Sequence, residues 1–198
     1  MSVDDPRERY DDLHVTETRH TEDPDSFAER AESEVVDAGW LVLTLAFDSE
    51  GRVLLIQQPW ADGWMIPGGA LQPGETLAEA AVRELAEETG VEAEPVRPHS
   101  VGELVAENEA TGETTGWTTV VYEAVAEDDD VDTELGLADE VIEDAQWFEG
   151  LPEEVFDRER VETVYERCEF GDNTDPTVLP SSTPRWRERS PTHGPGVR

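Results

Sequence analysis

The sequence contains no lysine: its 14 basic residues are all arginine, set against 49 Asp and Glu for a formal net charge of −35. A chain so poor in positive charge lacks the phosphate-neutralising surface that nucleic acids and anionic membranes need, which excludes general binding to either. Cysteine is nearly absent. With Cys168 alone, an intramolecular disulfide and a multi-cysteine zinc site are excluded, and a reducing compartment suits the chain. Long apolar runs are missing too, since no stretch approaches the ~18 residues of a membrane helix. MSVDDPRERYDDLHV has neither the basic start nor the apolar run of a signal peptide. These absences point to a soluble, cytoplasmic protein.

At 198 residues the chain has room for one ordinary core with polar flanks. Its acid surplus is similar to that of proteins from salt-loving microbes, where dense cations screen the self-repulsion, and a halophilic archaeal source is the expectation. Three regions follow from composition. Residues 1–33 read as a polar arm whose one helical stretch is Ser26 to Glu34. Residues 34–168 read as the folded domain, and 169–198 as a loosely held tail rich in Pro, Ser and Thr.

Within the domain, VVDAGWLVLTLAFDSEG and RVLLIQQP read as two strands of a hairpin, with a further strand-like patch at Trp64 to Ile66. Thr76 and Glu79 form the T-x-x-E capping box of a helix that Gly90 stops. VRPHSVGELVAE and GWTTVVYEAVAE alternate as two more strands, Val141 to Phe148 as a last one, and PEEVFDRERVETVYERC has helical spacing. Strands and helices interleave without a regular βαβ rhythm, so the fold class is α/β (α+β), a mixed sheet flanked by helices.

One stretch resists a purely structural reading. GGALQPGETLAEAAVRELAEETGV places Glu84, Glu87 and Glu88 within an arc of roughly 100° on the expected helix. Like charges at such spacing cost about 0.2–0.5 kcal/mol per pair, so a counter-charge is implied. In so acidic a chain a triple-Glu face could equally be solvated surface. The wider pattern separates the two readings: Gly69, five residues, Glu75, seven residues, then Arg83, Glu84, Leu85, Ala86, Glu87, Glu88, Thr89, Gly90, Val91. Every position agrees with the Nudix box, G-x5-E-x7-R-E-U-x-E-E-x-G-U with U aliphatic, and the chain resembles the Nudix hydrolases from Val36 to about Cys168.

The resemblance implies an αβα sandwich and metal-assisted hydrolysis of a diphosphate linkage. It makes Glu84, Glu87 and Glu88 metal ligands, with the carbonyl of Gly68 beside them, Glu84 also the general base, and Arg83 the residue that orients the cluster. Clustered hard oxygen ligands suit Mg²⁺, with Mn²⁺ as a substitute. Glu75, Gly69 and Gly90 are structural positions of the box. A distal acidic ligand is expected at Glu140, in competition with Glu107, Glu109 and Glu143. The substrate implied is a small nucleoside diphosphate derivative, such as ADP-ribose, another nucleotide sugar or a noncanonical nucleoside triphosphate; a homodimer is compatible with the family. Two other outcomes stay open: a nucleotide-sensing module that keeps the fold without turnover, and the isoprenoid diphosphate isomerase branch, which needs a cysteine and a further glutamate in its site.

Outside the box the pattern thins. Where many relatives carry a phosphate-holding arginine at the end of a strand, this chain has Gln57 and Gln58. Arg52 or Arg97 is the expected replacement, Arg52 first, and Trp60 or Trp117 the expected base-stacking residue, Trp60 first, while Trp64 and Trp147 read as packing. His14, His20, His99 and His193 show no ligand spacing and receive no role, and Cys168 reads as an ordinary buried thiol.

Overall fold

The structure is a computed structural model that describes residues 3–137 and 141–168. After a short 3-10 turn at Pro6–Glu8 come β1 (His14–Glu22), α1 (Pro24–Ala31), α2 (Glu34–Ala38), β2 (Trp40–Phe47), β3 (Val53–Gln57) and β4 (Gly68–Ala70). The chain continues with α3 (Leu77–Thr89), β5 (Ala93–Asn108), β6 (Thr114–Ala126), β7 (Asp144–Phe148) and α4 (Arg158–Tyr165). The strands form one seven-stranded mixed sheet in the order β1-β5-β6-β2-β3-β7, with β4 paired to β2. β1 runs parallel to β5 and β2 parallel to β6, while β5/β6, β2/β3, β2/β4 and β3/β7 are antiparallel.

Alternation along β2 assigns the two faces of the sheet, because successive side chains point to opposite sides. Val42 and Ala46 join apolar clusters with Leu77, Ala80, Ala81 and Leu85 of α3, and Thr44 Oγ1 donates to Ala81 O at 2.8 Å. Leu43, Leu45 and Phe47 face the other way, onto Val161, Val164 and Cys168. The sheet is thus sandwiched between α3 and α4. Leu85 and Leu45 are fully buried, and each such side chain contributes roughly 1.5–3 kcal/mol.

The expected start of the box helix is met in detail. Thr76 Oγ1 accepts from Glu79 N at 3.2 Å, Glu79 Oε2 accepts from Thr76 N at 2.8 Å, and Gly90 closes α3 at φ +76°. The hairpin, the β5/β6 pair and a strand within 141–148 are present as well. Val35 to Ala38, read into the first strand, lie instead in α2, and Trp64 and Met65 make only isolated bridges, the strand following at Gly68–Ala70.

Elsewhere the elements differ from the sequence reading. His14–Glu22, read as part of a polar arm, is the edge strand β1. The first helix begins at Pro24 rather than Ser26, because Asp23 caps it through Oδ1 to the amides of Asp25 and Ser26 at 3.0 and 3.2 Å. The last helix begins only at Arg158, after Asp157 in the left-handed region at φ +50°. Glu140 and the tail 169–198 lie outside the described residues. Among those described, no helix is long and apolar enough to cross a membrane.

Candidate active site

The glutamates of α3 and the glycines of β4 are brought face to face because β4 pairs with β2 and α3 packs on that side of β2. Gly68, Gly69 and Ala70 lie opposite Leu43, Val42 and Leu41. A Cβ on Gly69 would stand 2.5 Å from the Glu84 carboxylate, and one on Gly68, whose φ is +152°, would overlap the carbonyl of Val42. Gly69 therefore leaves the space that the Glu84 carboxylate fills, and Gly68 lets β4 lie close against the backbone of β2.

Arg83 ties the site together. Its Nε and Nη2 donate to Glu75 Oε1 and Oε2 at 2.6 and 3.1 Å, and its Nη1 donates to Glu84 Oε1 at 2.8 Å and Glu87 Oε2 at 2.7 Å. Nη2 also donates to Ala70 O at 3.2 Å, which anchors the helix to β4. Burial opposes the guanidinium charge, but the hydrogen bonds to Glu75, Glu84 and Glu87 outweigh it and hold Arg83 more firmly protonated than an ordinary arginine. The same contact with Arg83 holds the Glu75 carboxyl below its usual range, against the opposing effect of burial. Glu75 Oε2 further accepts from Gln72 N at 3.0 Å, so this residue fastens the loop before α3 to the helix.

Glu88 is fully buried and Glu84 is 7% exposed. Glu88 Oε2 accepts from Gly68 N at 2.8 Å, and Oε1 from Gln58 Nε2 at 3.2 Å. Sequence reasoning noted Gln58 only as a missing arginine. Its role is visible once β3 ends beside α3, and nothing in the local pattern announces it. The loop after β6 covers the end of the helix: Asp132 N donates to Thr89 O and Gly136 N to Glu88 O. A Cβ on Gly90 would collide with the Asp132 carboxyl. Between this loop, the helix and the turn at Gly74 runs an open groove of about 840 Å³, lined by Glu75, Arg83, Glu87, Asp132 and Glu134.

The structure brings Glu84, Glu87, Glu88, Arg83, Glu75, Gly68 and Gly69 into one cluster, and it leaves Arg52 out. Arg52 bonds Asp48 and Asp129, each at 2.6 Å, at the end of β3 opposite Gln58. Trp60 lies on the loop that begins at Gln58, 64% exposed, with its ring edge-on to Phe156 at 5.5 Å. Trp64 packs on Phe148 at 4.8 Å, and Trp147 packs in the cluster of Leu54 and Leu85. Cys168 is buried on the α4 face, across the sheet from the glutamates, so the chain's single thiol is not placed for an isomerase site.

Residues 38–166, more than half of the chain, match the model of the NUDIX domain. Human 8-oxo-dGDP phosphatase NUDT18 is 39% identical over 67 residues, covering 32% of this chain and 21% of that protein. CTP pyrophosphohydrolase of Escherichia coli is 38% identical over 72 residues, covering 34% of this chain and 49% of that protein. The chain thus spans between a fifth and a half of the length of these curated relatives. Among solved structures, a UDP-X diphosphatase superposes with a TM-score of 0.49 at 22% identity, covering 72% of this chain and 69% of that one. A MutT NUDIX hydrolase from Burkholderia pseudomallei gives 0.45 at 27%, covering 62% and 92%. With its box intact from Gly69 to Val91 and folded against β4 as described, the chain belongs to the NUDIX family.

Proposed function

We propose that the protein is a Mg²⁺-dependent Nudix pyrophosphohydrolase, with Mn²⁺ as a substitute, that cleaves the diphosphate linkage of a small nucleoside diphosphate derivative. The observation that carries this reading is the convergence of Glu84 and Glu87 on one guanidinium beside a buried Glu88. The donor set fits a hard divalent cation: the groups are carboxylate oxygens, two of the three glutamates are nearly or fully buried, and Arg83 gathers Glu84 and Glu87 on one guanidinium. Glu84, Glu87 and Glu88 would hold the ion, with the Gly68 backbone beside them. When bound, the ion supplies charge neutralisation for the diphosphate and a more acidic water.

The chain's own residues account for the rest. Arg83 fixes the carboxylates of Glu84 and Glu87 relative to one another, so their placement is set before substrate arrives. Glu84 takes the proton of the attacking water as a new O–P bond forms and the bond to the leaving phosphate breaks. The groove beside α3 is lined by carboxylates. These carboxylates would repel a diphosphate unless the ion held by the glutamates of α3 offset the charge on both sides. Trp60, exposed on the loop after β3, is the candidate platform for the base.

Relatives named for 8-oxo-dGDP, CTP and UDP-X define the substrate panel, with ADP-ribose added. At high salt with Mg²⁺, the wild type is expected to hydrolyse at least one of these. Glu84→Gln and Glu87→Gln are each expected to lower kcat by about 10²-fold or more. Full hydrolysis by both variants would remove catalysis from α3. Tight nucleotide binding by calorimetry with no product would instead identify a sensing module.

A further inference from the structure

A second group of ligating side chains lies on the opposite face of the sheet, beneath α4. A register shift between Pro98 and Ser100 in β5 sets His99 beside Glu123 of β6, with His99 Nε2 2.6 Å from Glu123 Oε2. Cys168, in the turn after α4, completes the group, and one donor atom from each residue lies within 4.8 Å of the others. All three are buried, at 6%, 0% and 2% exposure for His99, Glu123 and Cys168. Among the described residues, the Oε1 atom of Glu123 is buried with no hydrogen-bond partner. A carboxylate taken out of water with an oxygen unmatched is costly unless something else meets it there.

We propose that His99, Glu123 and Cys168 form a buried Zn²⁺ site that braces α4 against the sheet, separate from the glutamate helix. The donors are one imidazole nitrogen, one thiolate and one carboxylate oxygen, the N/S/O set that Zn²⁺ takes with a fourth position left for water. Charge balances as well: a thiolate and a carboxylate with a neutral imidazole carry two negative charges, which the ion cancels. As the ion enters, the Cys168 thiol gives up its proton to solvent and its sulfur binds as the thiolate. Without a cation, burial chiefly, and the charge of Glu123 in addition, hold the Cys168 thiol above the ordinary range. Ligand-to-ligand spacings in a tetrahedral zinc site are about 3.3–3.8 Å for bonds of about 2.0–2.3 Å, so small side-chain rotations close the cluster. Soft sulfur and imidazole favour Zn²⁺ here, where the all-oxygen set on α3 favours Mg²⁺, so the two faces would sort cations by ligand type.

Cobalt titration of the full-length, reduced, chelator-treated protein tests this. Cys168 is the only cysteine, so sulfur-to-cobalt charge-transfer absorption in the near ultraviolet can arise nowhere else. The expected result is a band that saturates at about one ion per chain, is displaced by Zn²⁺ and persists in excess Mg²⁺. Cys168→Ser should lose it at least tenfold, His99→Gln should weaken Co²⁺ binding at least tenfold, and Glu84→Gln should leave the band unchanged. His99→Gln retains the thiol, so it remains informative if the serine variant folds poorly. A folded wild type with no charge-transfer band, or whose melting temperature neither Co²⁺ nor Zn²⁺ moves, overturns the proposal.

Discussion

Gly69 shows how a single residue without a side chain sets the position of a charged one. Its missing Cβ is the space occupied by the Glu84 carboxylate, which would otherwise be 2.5 Å away. In Gly69→Ala the carboxylate must retreat, and with it the hydrogen bond from Arg83 Nη1 that fixes Glu84 relative to Glu87. Crowding of this kind costs about 1–3 kcal/mol of stability. The larger effect should be on catalysis, where small displacements of a reacting group are strongly felt. We expect kcat/KM to fall by about 10²-fold in a variant that still unfolds cooperatively in urea. Unchanged kcat/KM would show that the close approach of Gly69 to Glu84 is not needed. This residue was legible in the sequence because its partner is on the next element, at a spacing the box fixes. Gln58 was not, because its contact with Glu88 reaches across β4, the loops on either side of it and most of α3, and the register that creates it is set by apolar residues elsewhere. The trio of His99, Glu123 and Cys168 was hidden for a related reason: the bulge that turns His99 toward Glu123 leaves no mark in the alternation of β5.

Among the elements, α3 carries its own start and stop signals, so its bounds follow from the chain alone. β1 is the contrary case. HVTETRHTE is polar on both sides, lies at the sheet edge and gains its place through the backbone ladder to β5 rather than through an apolar stripe. A strand held in that way has no period for sequence reading to detect. α3 also has a pH-sensitive brace in the loop before it. Glu75 has its folded-state pKa lowered below 4.5, first by the hydrogen bond from Arg83. Its contribution is therefore present above the unfolded value and is lost as pH falls through the lower folded one. Urea unfolding of wild type and Glu75→Gln should differ most at about pH 7, and the gap should narrow at about pH 3. A gap of equal size at both values would mean that the carboxylate charge is not what braces the loop.

At the scale of the whole molecule, the net charge of −35 and the carboxylate-lined groove make two distinct demands for cations. Diffuse repulsion is relieved by any salt, since the screening length falls from about 8 Å at 0.15 M to about 3 Å at 1 M. The melting temperature should therefore rise with KCl. A specific site behaves differently, because ligand that binds only the native state stabilises it by mass action, about 2.7 kcal/mol at a hundred times Kd. With KCl held near 2 M, where diffuse screening is saturated, millimolar Mg²⁺ should still raise the melting temperature of the wild type. The increment should vanish in the Glu84→Gln/Glu87→Gln double variant, which loses two of the three glutamates expected to hold the ion. A matched addition of KCl controls for ionic strength, and the Cys168→Ser variant controls for the opposite face of the sheet. If Mg²⁺ moves the double variant as far as the wild type, its stabilisation is screening alone and the glutamates of α3 are surface charge. If only the wild type and Cys168→Ser respond, the repulsion built into that helix is met by a bound ion.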